Sequence, residues 1–262
     1  MSDRKMHFIT LNCCGPTDHN NGGWRHPDGD GHLVLDASRY EKIGRISEKG
    51  LFDGMFFVDY MFHQGLTQGE PSLVTKYGGQ MVMLDPLQVL AAVARVTKHI
   101  GLAATMSTSL YPPYHIARAF ASLDHISRGR AGWNIVTSSH PDEAKNFGLD
   151  GLGTRGSRYD HADEVMAACM TLWKTWDADA LRFDKDKGIF ADPEKMRYVK
   201  YEGAEIRFEG GLTTPQPPQG SPVFMQAGSS PRGREFAARW AEVIFTVQNR
   251  KELMQAFYKD MK

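Results

Sequence analysis

The chain has 262 residues, and its 31 Lys and Arg balance its 31 Asp and Glu, so the formal net charge at pH 7 is zero. That balance argues against nucleic acid or an anionic membrane surface as a partner. No apolar run approaches the roughly 20 residues that span a bilayer, and the N-terminus has too short an apolar stretch for a signal peptide. An apolar content of 41% is typical of a globular protein, which we predict to be a single domain over residues 1–262.

The three cysteines are Cys13, Cys14 and Cys169. Two of them are adjacent and none forms a C-x-x-C pair, so the spacing indicates neither a disulfide framework nor a zinc site. We therefore predict a reduced, cytoplasmic protein without a structural metal.

Short apolar runs alternate with helical periodicity along the whole chain. The predicted strands are His7–Asn12, Asp53–Val58, Ile100–Met106, Ala131–Val136, Pro222–Gln226 and Val243–Val247. Each is followed by an amphipathic segment, and the predicted helices cover residues 40–51, 85–96, 112–126, 158–176, 232–241 and 250–262. Gly50 is placed to cap the first helix, and Asp85 followed by Pro86 is typical of a helix start.

The segments between these elements differ in character. Residues 16–30 and 61–80 are rich in turn-forming or mixed residues and are predicted as loops, as is the polar segment 140–156. Residues 177–220 break the alternation and are predicted to be an insertion that carries a small hairpin. In the segment 123–130, Asp124, His125 and Arg130 are expected to hold the turn that leads into the fourth strand.

Six alternating strand–helix units predict an α/β fold with a parallel sheet and helices outside it. A complete (β/α)8 barrel takes about 250 residues without insertions, so this chain has room for only part of one. The sheet is therefore either open or an incomplete barrel. The end of the chain in a helix favours the incomplete barrel.

Polar residues lie at the carboxyl ends of several predicted strands: Asp59, Thr105, the segment 134–139, and Gly228-Ser229-Ser230. Each alone is typical of an ordinary loop, but the carboxyl ends of barrel strands converge on one site. Ser229 and Ser230 suit a phosphate at a helix N-terminus. Ser230 before Pro231 also fits a simple N-cap, and the two interpretations are compatible.

Several stretches of this sequence occur together, in the same order, in one known family. They are Gly23–Pro27, Gly50–Asp59, Tyr111–Arg118, Leu123–Ser138, Asn146–Gly148, Arg158–Asp160 and Gln226–Arg234. In these stretches the chain closely resembles the flavin-dependent bacterial luciferase-like monooxygenases. The nearest branch holds the nitrilotriacetate, dibenzothiophene-sulfone and long-chain alkane monooxygenases.

The resemblance implies a TIM (β/α)8 barrel, of which this chain covers about the first six units, and a site for reduced FMN supplied by a separate NAD(P)H:FMN reductase. The residues expected to line or bind the flavin are Asp59, Thr105, Asn134 and Tyr159. Ser229 and Ser230 would hold its phosphate. Arg155 occupies a position at which many relatives have His, and a cation there would also suit phosphate.

The same resemblance points to three residues near the reacting atoms. Cys14, Gln80 and His140 resemble pocket residues of the alkane-oxidising member, although Ser139 occupies the aligned position and His140 is offset by one. One of them would steady or protonate the reactive oxygen. Metal ligands are not implied.

The implied function is a two-component monooxygenase that uses reduced FMN and O₂ to oxygenate a small organic substrate through a C4a-peroxyflavin. The alternatives are a deazaflavin-dependent oxidoreductase of the same superfamily and a non-catalytic flavin-binding or assembly subunit. A homo-oligomer, dimer or tetramer, is expected. Complete members of the family continue through two further strand–helix units, so we expect this chain to be truncated, cleaved or complemented by another chain.

Overall fold

The structure is a computed structural model that describes residues 6–17, 20, 22–63, 75–78 and 81–262. Its strands are β1 (Ile9–Cys13), β2 (Gly54–Val58), β3 (Gly101–Ser107), β4 (Ala131–Val136), β5 (Leu181–Asp184), β6 (Ile189–Ala191), β7 (Val199–Glu202), β8 (Arg207–Gly210), β9 (Val223–Gln226) and β10 (Val243–Ile244). Its α-helices are α1 (Ala37–Lys49), α2 (Pro86–Val96), α3 (Pro113–Ser127), α4 (Pro141–Asn146), α5 (Arg155–Trp173), α6 (Pro231–Trp240) and α7 (Lys251–Met261). Single 3₁₀ turns occur at Gly23–Arg25, Gly31–Leu33 and Pro193–Lys195. The predicted pocket residue Gln80 lies outside the described residues.

Six strands form one parallel sheet in the order β1-β2-β3-β4-β9-β10. The fold prediction is confirmed: successive units are neighbours, as in part of a (β/α) barrel. In the register, Thr105 is paired with Asn134 and Asn134 with Met225, so these side chains share one face. The carboxyl ends of all six strands therefore lie at one edge.

Both faces of the sheet contribute buried apolar residues. The outer face contributes Phe57, Leu102 and Trp133, which are buried in the main core beneath the helices. The inner face carries a smaller cluster formed by Phe56, Ala103 and Met225. The main core therefore lies between sheet and helices and holds the strand ends rigidly in place.

Helix starts follow the predicted capping chemistry. The Asp85 carboxylate accepts a 2.8 Å hydrogen bond from the Leu87 amide, and Pro86 is the first helical residue. At the end of α1, Gly50 is the capping residue, but with φ of −75° it is not left-handed. Leu51 takes the left-handed conformation instead, with φ of 59°.

Three predicted segments differ from the structure. The polar segment after β4 contains the short helix α4 rather than only a loop, because His140 caps its first turn. The last strand, β10, is limited to two residues, whereas the sequence predicted Val243–Val247. The insertion contains two antiparallel hairpins, β5–β6 and β7–β8, where one was predicted.

Two of the three predicted residues, Asp124 and Arg130, hold the turn between α3 and β4 at the amino end of the sheet. His125 instead lies with Nε2 3.2 Å from the Pro215 carbonyl, outside this turn. The Arg130 guanidinium donates to the carbonyl oxygens of Thr97 and Ile100 at 3.1 and 2.8 Å. The buried Asp124 carboxylate accepts a 3.1 Å bond from the Ala131 amide. These bonds satisfy backbone groups far from the carboxyl edge, so their role is structural.

Candidate active site

A cavity of about 320 Å³ opens at the carboxyl ends of β4 and β9. Its walls are the segment after β4, the first turn of α5, and the segment that joins β9 to α6. The lining residues are Ile135–Ser139, Arg155, Arg158, Tyr159 and Gln226–Ser230. Four predicted site residues, Arg155, Tyr159, Ser229 and Ser230, are thus brought to one place although up to 75 positions separate them in the chain.

Thr105 and Asn134 form a buried pair on the inner face of the sheet, next to the cavity-lining Ile135. Asn134 Nδ2 donates to Thr105 Oγ1 at 3.0 Å, and Thr105 Oγ1 donates to the Phe57 carbonyl at 2.8 Å. Asn134 Oδ1 is buried and has no hydrogen-bond partner among the described residues. A buried acceptor without a partner is costly, and a ligand N–H would satisfy it.

The Tyr159 hydroxyl and the Gln226 amide close the base of the cavity. Gln226 Nε2 donates to the Tyr159 hydroxyl at 3.2 Å, and Gln226 Oε1 accepts from the Gly228 amide at 2.5 Å. A Cβ at Gly228 would lie 2.6 Å from both Gln226 Nε2 and the Tyr159 hydroxyl. An alanine at this position would therefore force the ends of these two side chains to shift.

The N-terminus of α6 opens into the same cavity. Ser230 is its N-cap, accepting from the Gly233 amide at 3.1 Å, and Pro231 is the first helical residue. The predicted N-cap is confirmed, and the partial positive charge of a helix N-terminus attracts anions. Ser230 can therefore serve the helix while the neighbouring amides face a ligand.

Two arginines add full positive charge to this cavity. Arg155 is the exposed first residue of α5, and Arg158 follows one turn later. Arg158 donates through Nη1 to the Gly153 carbonyl at 3.0 Å, whereas its buried Nε has no partner among the described residues. Charged donors beside a helix N-terminus make an arrangement that suits a phosphate group.

The tips of β3 and β4 are joined by hydroxyl groups. Ser138 Oγ donates to Ser107 Oγ at 2.9 Å, and Ser109 Oγ donates to the Thr137 carbonyl at 2.9 Å. Ser138 holds a left-handed backbone with φ of 50°, a strained conformation for serine. The bonds between the tips hold this wall of the cavity in one conformation.

Asp59 follows β2 and is partly buried at the carboxyl edge. Burial, with smaller contributions from the negative charges of Asp85 and Glu143, raises the pKa of its carboxyl to about 7 against the lowering effect of the Tyr60 amide. Burial, together with the charges of Asp59 and Asp85, also raises the pKa of Tyr111 to about 12. Asp59 therefore exchanges its proton near neutral pH.

The structure places Cys14 and His140 outside the lining of this cavity. Cys14 is fully buried, and burial raises the pKa of its thiol far above the usual range, so the thiol stays protonated. His140 Nδ1 accepts from the Asp142 amide at 3.3 Å, and its ring stacks on Phe62 with centroids 3.8 Å apart. Their catalytic roles stay predictions.

Among the polar cavity residues, Arg158 and Gln226 were absent from the predicted site set. Both lie inside the quoted stretches Arg158–Asp160 and Gln226–Arg234, and Gln226 ends a strand. Two features of the sequence could have indicated them: Gln226 stands at the end of a strand, and Arg158 follows Arg155 by one helical turn. Which way each side chain points was decided only by packing.

Among the described residues, no group of three or more His, Cys, Asp or Glu could hold a metal ion. In the same part of the chain, no helix is both long enough and apolar enough to cross a membrane.

A family model described as luciferase-like monooxygenase matches residues 24–262. The chain belongs to the luciferase-like monooxygenase family. Among curated relatives of this luciferase-like chain, dibenzothiophene-sulfone monooxygenase of Rhodococcus erythropolis (strain XP) is 44% identical over 260 residues, covering 99% of this chain and 57% of the relative. Nitrilotriacetate monooxygenase component A of Aminobacter aminovorans is 42% identical over 92% of this chain and 54% of the relative.

The solved structures include a riboflavin lyase with modified FMN and its substrate riboflavin. This luciferase-like chain superposes on it with a TM-score of 0.91 and 35% identity, covering 98% of this chain and 58% of that one. The chain therefore spans a little over half the length of the proteins it matches.

Proposed function

We propose that this chain binds reduced FMN and belongs to a flavin-dependent monooxygenase that uses O₂ to oxygenate a small organic substrate. The observation that carries the proposal is the cavity at the ends of β4 and β9, in which Arg155, Arg158 and the N-terminus of α6 converge. A similar structure, the riboflavin lyase, is described with a modified FMN. A phosphate-bearing flavin fits the charge of this cavity.

The residues present also fit the ring system of a flavin. The unsatisfied Asn134 Oδ1 is an acceptor suited to a ring N–H, and Thr105 holds the amide in the orientation that presents this atom. Ser229, Ser230 and Arg155 would hold the phosphate. Tyr159 would line the cavity, its hydroxyl oriented by Gln226, and Asp59 would stand at the same edge of the sheet.

When bound, reduced FMN would supply the electrons that activate O₂ for transfer of one oxygen atom to the substrate. The chain would orient the substrate, exclude water and hold a proton near the reacting atoms. His140 would be the side chain that holds this proton, because Phe62 and the first turn of α4 keep its ring in place. The protonated Cys14 thiol and Gln80 complete the proposed set.

The proposed partners are O₂, the substrate and a separate NAD(P)H:FMN reductase that supplies the reduced cofactor. Cys13, Cys14 and Cys169 are all buried in the structure. The cytoplasmic location that the sequence predicts stays a prediction. The expected homo-oligomer stays a prediction.

An anaerobic titration with reduced FMN, reduced riboflavin and a reduced deazaflavin tests the proposal. We expect FMN to bind about tenfold or more tightly than riboflavin, because only FMN carries the phosphate. Ser229→Ala should weaken FMN binding and leave riboflavin binding unchanged. Admitting isotopically labelled O₂ with reductase and candidate substrates should then place label in the product.

Three results would contradict parts of the proposal. Equal affinity for FMN and riboflavin would show that the cavity does not bind the phosphate. Preference for the deazaflavin would favour hydride transfer instead of oxygenation. Tight FMN binding without labelled product across the substrates tested would favour a non-catalytic flavin-binding subunit.

A further inference from the structure

A second, smaller pocket of about 190 Å³ lies beyond β2, on the same carboxyl edge as the flavin cavity. Its described lining consists of Tyr60–His63, Met81, Met83 and Asn146. Three of these side chains are thioethers and three are aromatic or imidazole rings. Methionine is flexible and polarisable, so such a lining adapts to apolar and sulfur-containing ligands.

The walls of this pocket are fixed by hydrogen bonds. The Met61 sulfur accepts from the Tyr111 hydroxyl at 3.2 Å, and the Met61 carbonyl accepts from Asn146 Nδ2 at 2.7 Å. On the other side, the Leu84 amide donates to the Cys14 carbonyl at 3.1 Å, which ties the segment that carries Met83 to the end of β1. The pocket is therefore built between rigid strand ends.

One pair of stacked rings connects the lining of this pocket to the segment that lines the flavin cavity. The Phe62 ring lines the pocket and stacks on His140 with an interplanar angle of 5°. Ser139, the residue before His140, lines the flavin cavity. A ligand against Phe62 would therefore contact a ring that stacks on the residue next to the lining of the proposed flavin site.

Charge is distributed unequally between the two sites. Arg155 and Arg158 lie in the flavin cavity, whereas none of the described residues that line the smaller pocket is Lys, Arg, Asp or Glu. Asp59, next to the lining residue Tyr60, is influenced by the charges of Asp85 and Glu143. A polyanion would meet no Lys or Arg among the described lining residues, so the cost of removing its charges from water would not be offset there.

We propose that the substrate of this chain is a neutral molecule of aromatic or organosulfur character, bound in the methionine-lined pocket, and that polycarboxylates are rejected. This inference rests on the proposed function and specifies its substrate class. Of the two curated relatives described above, one is named for a neutral sulfone and the other for a tricarboxylate. The lining residues match the first chemistry.

Calorimetric titration of the chain, with and without oxidised FMN, tests the inference. The probes are dibenzothiophene sulfone and nitrilotriacetate. We expect the sulfone to bind at least about tenfold more tightly, because its transfer from water carries no ionic desolvation cost. Equal or tighter binding of nitrilotriacetate overturns the inference, as does failure of the sulfone to bind.

Substitution of Met81 locates the site. Met81→Lys should weaken sulfone binding about tenfold or more, since a charge would enter an apolar lining, while Met81→Leu should keep it within about threefold. The matched control is Met254→Lys on α7, where Met254 is 51% exposed. Unchanged sulfone affinity in a folded Met81→Lys variant would overturn the assignment of the pocket.

The flavin titration separates this inference from the proposed function. Loss of sulfone binding in Met81→Lys with FMN affinity unchanged supports both. A chain that binds the sulfone and not FMN retains the pocket and refutes the flavin proposal. A chain that binds FMN and prefers nitrilotriacetate retains the proposed function and refutes the substrate class.

Discussion

Asn134 Nδ2 lies 3.0 Å from Thr105 Oγ1, and the two residues are register partners on neighbouring strands. The bond commits the nitrogen of the Asn134 amide to the protein and leaves Oδ1 buried without a partner among the described residues. The pair thus fixes Asn134 Oδ1 as an acceptor, which we propose receives a hydrogen bond from the flavin. Removal of the Asn134 side chain should therefore lower ligand affinity more than it lowers the free energy of unfolding.

Asn134→Ala should weaken FMN binding about tenfold, since one hydrogen bond in a buried site contributes about 1–1.5 kcal/mol. Fluorescence titration of FMN measures the change. Asn12→Ala is the control, because the hydrogen bonds of the Asn12 amide to described residues go to Thr10 on its own strand. Equal losses in the two variants would show that Asn134 does not contact the flavin.

Gly228→Ala should weaken FMN binding and displace the ring of Tyr159. An added Cβ would lie 2.6 Å from both the Tyr159 hydroxyl and Gln226 Nε2, so this pair must separate. Tyrosine fluorescence and FMN titration report the two effects. Gly151→Ala is the control, because a Cβ at Gly151 would have no described neighbour within 4 Å. Wild-type FMN affinity in Gly228→Ala would show that the close approach has no role in binding.

Asp59→Asn should change the pH dependence of stability. The pKa of Asp59 in the fold is about 7, above the ordinary value of 3.8, so the fold favours the protonated form. The stabilisation that the protonated carboxyl gives the fold is complete below about pH 4. It is lost as the pH rises to about 7 and stays absent above that pH. Asparagine mimics the protonated carboxyl at every pH.

The variant should therefore be more stable than the wild type at pH 8 and similar to it at pH 4, as measured by urea unfolding at both pH values. Asp186→Asn, in the exposed β5–β6 turn, controls for removal of one negative charge. A difference between Asp59→Asn and wild type that is the same at both pH values would contradict a raised pKa.

Asp124→Ala should lower the free energy of unfolding by about 3 kcal/mol, because buried amides lose a charged acceptor. The fully buried carboxylate accepts from the Ala131 amide, the Gln219 amide and Gln219 Nε2 at 3.1, 3.0 and 2.6 Å. Urea unfolding measures the loss. Ser122→Ala on the same helix, whose hydroxyl bonds only the Arg118 carbonyl, should stay within about 0.5 kcal/mol. A small effect at Asp124 would show that water replaces the lost acceptor.

Local chemistry predicted the elements well where one short stretch carries the whole signal. Asp85-Pro86 predicted the start of α2, and the run Ala131–Val136 matches β4 residue for residue. The prediction missed α4, since His140 is an uncommon N-cap and six residues show little periodicity. It also missed Leu51 as the left-handed residue, because glycine is the usual choice there.

The sequence by itself determined the alternation of strands and helices and the polar residues at strand ends, because both depend on neighbours along the chain. The tertiary structure alone decided which of those residues meet. Tyr159 and Gln226 are 67 positions apart, yet their side chains share a hydrogen bond. The sequence also could not reveal that Asp59 would be held near Asp85 and Glu143, which depends on how α2 and α4 pack beyond β2. Side-chain direction and burial arise from long-range packing, and they decide which polar residues form a site.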